Sequence, residues 1–329
     1  MAEPALLYRL YAPDDAPALT RLYERVWPGR EGHQEYIDWA FTDPRGGSST
    51  VLAVEPATGR IVGCRGATRW PFSVGGESLL VRQFHGTCVD PESRRLGIFT
   101  EMNRRSLALF EEEGGDLIYN VSVDESRSGY ERLGWVYRPG LRRLIKPVRR
   151  LRFIRALMGG RKRIGGRPVV EPATEPIPYL DTLGSCLQGR RELLADSLAV
   201  DYTEASTTWR FSKRGSGHRI HVSSAGAVVY RFGRRGPLRE AYIGDVWPRS
   251  ADPSLMRDVL TELIDIERPD MITFVITREH PLYGACRRFG FLPDPGGDLN
   301  LGTKAVSGRG ERLLDSQPLA ITALDIDTF

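Results

Sequence analysis

Apolar and polar residues alternate between Leu6 and Ala12, the period of a strand. The spacing turns helical over Ala16–Val26, where Leu19, Leu22, Tyr23 and Val26 share one face. A second helix is expected over Gln34–Phe41. Val51–Val54 and Ile61–Thr68 read as a hairpin around Ala57-Thr58-Gly59-Arg60, and Ser78–Val89 as a further strand stopped by Asp90-Pro91. Residues 94–113 place Ile98, Met102, Leu107, Leu109 and Phe110 at roughly helical spacing before Gly114-Gly115 ends the helix. Leu117–Val123 follows as a strand, Ser126–Leu133 as a short helix capped by Ser126, and Trp135–Tyr137 as the start of another strand. The succession predicts an α+β fold, a mixed central sheet flanked by helices.

Beyond Arg138 the pattern breaks. Twelve of the thirty residues from 138 to 167 are arginine or lysine. Within that stretch Pro147–Met158 sets Val148, Leu151, Ile154, Leu157 and Met158 apart from Arg149, Arg150, Arg152 and Arg155, so a basic amphipathic helix is expected. After the proline-rich PVVEPATEPIP an independent unit begins, and it echoes the first. Trp39-Ala40-Phe41-Thr42 recurs as Trp209-Arg210-Phe211-Ser212, and the strand end Gly86–Pro91 as Gly244–Pro248. Ser254–Ile266 then supplies a helix, Met271–Ile276 a strand, and Cys286–Phe291 the counterpart of Tyr130–Trp135. These landmarks predict a duplication: one domain over 1–145, a basic linker over 146–170, and a second domain over 171–329.

Composition narrows the class. At 329 residues with 41% hydrophobic and 27% charged residues, the chain has an ordinary globular balance, and no run of about 18 apolar residues could span a bilayer. The start lacks the pattern of a secretory signal, so a cytoplasmic location is expected. Cys64, Cys88, Cys186 and Cys286 show no metal-ligand spacing, and neither a disulfide framework nor a metal site is expected. The basic stretch has no interleaved aromatic beyond Phe153, which argues against nucleic acid. A weak peripheral contact with an anionic membrane stays open.

Val89-Asp90-Pro91-Glu92-Ser93-Arg94-Arg95-Leu96-Gly97-Ile98-Phe99 joins a strand end to a long helix. The first amides of that helix have no carbonyl partners, and with the positive end of the helix dipole they suit phosphate oxygens. Gly97 permits close approach of a ligand, and Arg94 and Arg95 add charge. Taken alone, the segment is equally an ordinary strand-to-helix turn. It resembles the pyrophosphate loop R/Q-x-x-G-x-G/A of the GNAT superfamily of acyl-CoA N-acyltransferases, with Phe99 where that motif ends in a small residue. The family's Y-x-x-x-G-F is echoed by Tyr130-Glu131-Arg132-Leu133-Gly134-Trp135. The resemblance covers residues 5–140 and, without the motifs, 172–306, implying two tandem GNAT-like domains.

What the resemblance implies is direct attack of a small-molecule amine on the thioester of acetyl-CoA or another acyl-CoA, in a ternary complex that needs no nucleophilic cysteine and no metal. The implied CoA-binding residues are Cys88, Val89, Arg94, Arg95, Leu96, Gly97, Ile98, Phe99, Asn120 and Ser126. A backbone N–H near Cys88 or Val89 would polarise the acyl carbonyl. Tyr130 matches the position that protonates the departing thiolate. His85 is the candidate base, with Glu77, Gln83 and Asp124 as competitors, and Cys88 is expected to be core packing. The second copy has no glycine in Arg249-Ser250-Ala251-Asp252-Pro253, and Cys286 stands at the tyrosine position, so it is expected to bind no CoA and to wall the acceptor cleft instead. The acidic tail Ala323–Phe329 is expected to fold back near that cleft. A different class of function, an acyl-CoA sensor docking on an acidic partner or membrane through its arginine-rich segment, is the alternative.

Overall fold

The computed structural model describes residues 6–41, 49–158, 169–171, 182–213 and 215–326. The first half contains β1 (Leu7–Leu10), α1 (Ala16–Val26), α2 (His33–Ala40), β2 (Val51–Val54), β3 (Ile61–Val74), β4 (Glu77–Val89), α3 (Ile98–Glu112), β5 (Leu117–Ser122), α4 (Asp124–Arg132) and β6 (Val136–Pro147). Next come α5 (Arg150–Met158), β7 (Val169–Val170), α6 (Gly184–Leu193), β8 (Leu198–Val200), α7 (Glu204–Phe211), β9 (Arg219–Val222), β10 (Gly226–Arg235), β11 (Leu238–Pro248) and α8 (Leu255–Glu267). The chain finishes with β12 (Met271–Thr277), α9 (Leu282–Arg288), β13 (Leu292–Pro293), β14 (Leu299–Ala305), α10 (Gly308–Ser316) and β15 (Leu319–Ala320).

The α+β reading holds, and the element types follow from the pattern. Leu19, Leu22 and Tyr23 of α1 are buried together. β3 runs past Thr68 to Val74 in spite of Pro71, because Arg69–Val74 pair with Glu77–Arg82 of β4 across Gly75-Gly76. Both of these glycines have positive φ, 57° and 78°, the geometry of a two-residue hairpin turn. Three expectations need correction. α3 begins at Ile98 rather than Arg94, since Arg94 is extended while Arg95 and Gly97 adopt φ of 69° and 73°. Ser126 does not cap α4; it lies inside the helix and its hydroxyl donates back to the Val123 carbonyl at 3.0 Å. The basic stretch is not all connection, because β6 extends to Pro147 as a strand with neighbours on both sides.

The strands form one sheet ordered β1-β2-β3-β4-β5-β14-β6-β12-β11-β10-β7, with β9 also beside β10. This order is nearly palindromic. β5 is to β4 what β12 is to β11, each a parallel neighbour, and the middle is made by exchange: β14 pairs with β5, and β6 pairs with β12. β6 and β14 then pair with each other. The same internal symmetry appears in the layer above. The rings of Trp39 and Trp209, matched landmarks of the two halves, stack with centroids 4.7 Å apart, and each indole N–H donates to the other's carbonyl, at 3.0 and 3.2 Å. Their hydrophobic cluster runs continuously from Leu19 to Ile326.

Candidate active site

Parallel pairing of β4 with β5 stops at Gln83–Tyr119, and beyond it the strands part. The cause lies in β4. Gly86 and Thr87 stand opposite the single residue Arg65, a β-bulge with Gly86 at φ 55°. A side chain at Gly86 would meet the Tyr23 hydroxyl at 2.4 Å, and that hydroxyl donates to the Gly86 carbonyl at 2.9 Å. The Asp90 N–H bonds to the Val62 carbonyl of β3, so by strand alternation the Val89 N–H faces the opposite side, into the gap.

A cavity of about 860 Å³ occupies this gap. Of the residues singled out from sequence, His85, Cys88, Val89, Arg94, Phe99, Asn120, Ser126 and Tyr130 line it. Arg95 and Leu96 are exposed outside that lining. The Ile98 side chain is buried against Val62 and Met102, which leaves only its amide for a ligand. Gly97 faces open space, with nothing within 4 Å of a would-be Cβ, and no side chain caps α3. Its first amides are thus available at the end of the cavity that Arg94 lines.

Tyr130 is 2% exposed, edge-on to Phe99 at 5.2 Å and to Trp135 at 5.0 Å. Phe99, the departure from the motif, therefore packs the tyrosine. The Tyr130 oxygen accepts a hydrogen bond from Arg65 Nη1 at 2.6 Å, and the same nitrogen contacts the Thr87 hydroxyl. Arg65 escaped the sequence reading; nothing in a strand arginine two residues past Gly63 sets it apart. It is fully buried over the Phe84 ring at 3.9 Å, with Nε and Nη2 unpaired and no acidic partner among the described residues. Burial pulls its pKa below the ordinary arginine value.

His85 is held at both nitrogens. Thr68 donates its hydroxyl to the Ala40 carbonyl at 3.2 Å, so its oxygen accepts from His85 Nε2–H at 2.7 Å, leaving Nδ1 to accept from the Tyr36 hydroxyl at 2.7 Å. Gly66 makes room for this ring, since a side chain there would lie 2.6 Å from His85 Cε1. Tyr36, His33 and Trp27 line the same cavity and were missed; their only signal was three ring-bearing residues bracketing the start of α2. Glu77, Gln83 and Asp124 do not line it: Glu77 pairs with Arg309, Gln83 accepts from Trp70, and Asp124 accepts from Asn300. Burial holds the Cys88 thiol well above its ordinary pKa, so it stays neutral and a poor nucleophile.

Residues 7–138 match the acetyltransferase (GNAT) domain family. Over these residues the chain is similar to the GNAT acetyltransferases. No curated protein matches the sequence. Among solved structures, the chain resembles a GCN5-related N-acetyltransferase from Kribbella flavida (12% identity, 93% of this chain and 73% of that one, TM-score 0.67). It also resembles a GCN5-related N-acetyltransferase from Anabaena variabilis (12%, 95% and 75%, TM-score 0.66) and Eis1 from Mycobacterium abscessus (17%, 95% and 76%, TM-score 0.59). These likenesses carry the fold, and the family match itself covers residues 7–138.

Among the described residues the second half does not wall this cavity as expected, for those that line it fall between Tyr23 and Tyr130. It comes near at Tyr36, where the Lys213 ammonium lies 5.8 Å from the ring centre. The equivalent gap between β11 and β12 is closed by the chain itself: Thr277 N–H bonds to the Ile321 carbonyl at 2.9 Å, and Ile276 bridges Thr322. Asp325 follows, with its carboxylate accepting from Tyr202 at 3.0 Å and its carbonyl from Tyr119 at 2.6 Å. The tail therefore reaches β5, while residues 327–329 lie outside the described residues.

Proposed function

We propose that the chain is an N-acyltransferase, most readily an N-acetyltransferase, that moves an acyl group from acyl-CoA to a primary amine in a ternary complex. The observation that carries this reading is one cavity lined both by Arg94 and Phe99, which flank the uncapped start of α3, and by the phenol of Tyr130. Acyl-CoA, when bound, supplies a thioester carbonyl activated toward an amine. The amides of Ile98 and Phe99, the backbone around Arg95 and Leu96, and the Arg94 guanidinium would hold its diphosphate. Cys88, Val89, Asn120 and Ser126 flank the gap between β4 and β5, where an extended arm would lie, and the Val89 N–H is the donor aimed at a carbonyl there.

Tyr130 is the proton donor to the leaving sulfur. Because its oxygen already accepts from Arg65, its own proton is directed away from the guanidinium. On the acceptor side, Tyr36 takes a proton from the incoming ammonium as it passes its own to His85 Nδ1, so the base is a pair rather than His85 alone. We read the chain as two domains, 1–145 and 171–329 with 146–170 between them, a division that the near-palindromic strand order supports. In this reading the second domain binds no CoA, because the tail fills its gap and Cys286, packed on Met256 at 3.4 Å, offers no proton donor. The test is CoA-thiol release with a panel of amines, for the native chain and Tyr130→Phe. Turnover lost with acyl-CoA binding retained is the expected result; a Tyr130→Phe variant as fast as the parent sinks it.

A further inference from the structure

α5 sits on the sheet by one face only. Phe153 and the buried Ala156 pack against Ile145, Leu238 and Met271. Its start is pinned to the sheet, where Val148 and Arg149 amides both bond to the Asp270 carbonyl at 3.0 Å and Arg152 Nη1 reaches the Asp270 carboxylate at 3.1 Å. At 100° per residue, Leu151 and Met158 point almost directly away from that buried face. They are 74% and 83% exposed, and Ile154 and Leu157 beside them 50% and 42%. Among the described residues after Lys146, three of the five large hydrophobics that are at least half exposed, Leu151, Ile154 and Met158, thus gather on two and a half turns.

Charge frames this stripe. Arg150, Arg152 and Arg155 are exposed on the same helix. No aspartate or glutamate occurs between Arg132 and Val170. A protein groove would have to seat on a helix only about 13 Å long, far less than a stable interface needs. A bilayer surface needs no shape match: apolar tips enter the headgroup boundary while arginines remain among lipid phosphates. No helix among the described residues is long and apolar enough to cross a membrane, so the contact would be one of lying on it.

We propose that α5 docks the protein on an anionic membrane surface, with Leu151, Ile154 and Met158 inserted and Arg150 and Arg155 on lipid phosphates. This docking is independent of the acyl-transfer reading. The test is flotation of the full chain with phosphatidylglycerol–phosphatidylcholine vesicles and with phosphatidylcholine alone. Binding is expected to the anionic vesicles only and to weaken with salt. It should drop about fivefold for each arginine removed in Arg150→Gln and Arg155→Gln. Leu151→Ser/Ile154→Ser/Met158→Ser should weaken it about tenfold or more at unchanged circular dichroism, as these side chains support no core. A Leu151→Trp variant should shift its emission to the blue on anionic vesicles. Absence of anionic binding overturns the proposal. So does equal binding by the serine variant, an unshifted Trp emission, or a concentration-dependent dimer that the serine variant abolishes.

Discussion

Arg65→Met separates catalytic from structural roles at the centre of the site. The substitution removes a charged hydrogen bond of 2.6 Å to the Tyr130 oxygen. Such bonds contribute about 1.5–3 kcal/mol. If that bond directs the phenol proton toward the leaving sulfur, kcat falls by about 10- to 150-fold, at about 1.4 kcal/mol per tenfold. Stability should respond differently. Arg65 is fully buried with Nε and Nη2 unpaired, so its desolvation is uncompensated there, and replacing such a cation with an apolar side chain is commonly neutral or stabilising by about 1–4 kcal/mol. Loss of the contact with the Phe84 ring at 3.9 Å offsets about 2 kcal/mol of that gain. The melting temperature should therefore stay within about 3 °C of the parent or rise. The assay is CoA-thiol release at saturating acyl-CoA, with calorimetric binding of CoA and thermal melts alongside. In a Tyr130→Phe background the arginine substitution should add nothing further, because its effect runs through the phenol. An unchanged kcat, or a loss of rate equal to that in the Tyr130→Phe background, would refute the reasoning.

Other outcomes follow from the same geometry. Gly97→Glu meets open space, so the fold survives at a cost of about 1–2 kcal/mol for φ 73°, while the new carboxylate occupies the helix start and CoA affinity by calorimetry drops by about 100-fold. Tyr36→Phe severs the bond to His85 Nδ1 and should slow turnover by about 100-fold with acyl-CoA binding unchanged, which pre-steady-state kinetics with saturating amine would read. His280 is buried, accepts from the Leu282 amide, and has its pKa lowered to about 3 by desolvation and by Arg190. Its folded value lies below the unfolded one of 6.5, so the unfolded chain takes up a proton that the fold refuses. Stability should fall as pH drops from about 6.5 toward 3, and His280→Asn, which keeps an acceptor for that amide, should flatten the slope of urea midpoints between pH 7 and pH 5.

The sequence by itself determined the α+β class, the segment that turns into α3, and the two motifs around Gly97 and Tyr130. The class and the helix were legible because they depend on short-range chemistry, an apolar stripe at helical spacing and a proline that ends pairing, and the two motifs because they resemble those of a known family. The sequence also predicted a duplication through Trp39 and Trp209, though not that the two indoles meet. What only the tertiary structure decided rests on contacts between residues distant in the chain. The exchange of β6 and β14 depends on ladder bonds that any extended segment offers, so no local pattern specifies the partner. Arg65 beneath Tyr130 and Tyr36 before His85 are 65 and 49 residues apart, brought together by the bulge at Gly86 and the packing of α2. The closure of the second gap by Ile321 and Thr322 was equally hidden, because a short segment such as Leu319–Thr322 reads the same whether it frays in water or fills the space between two strands.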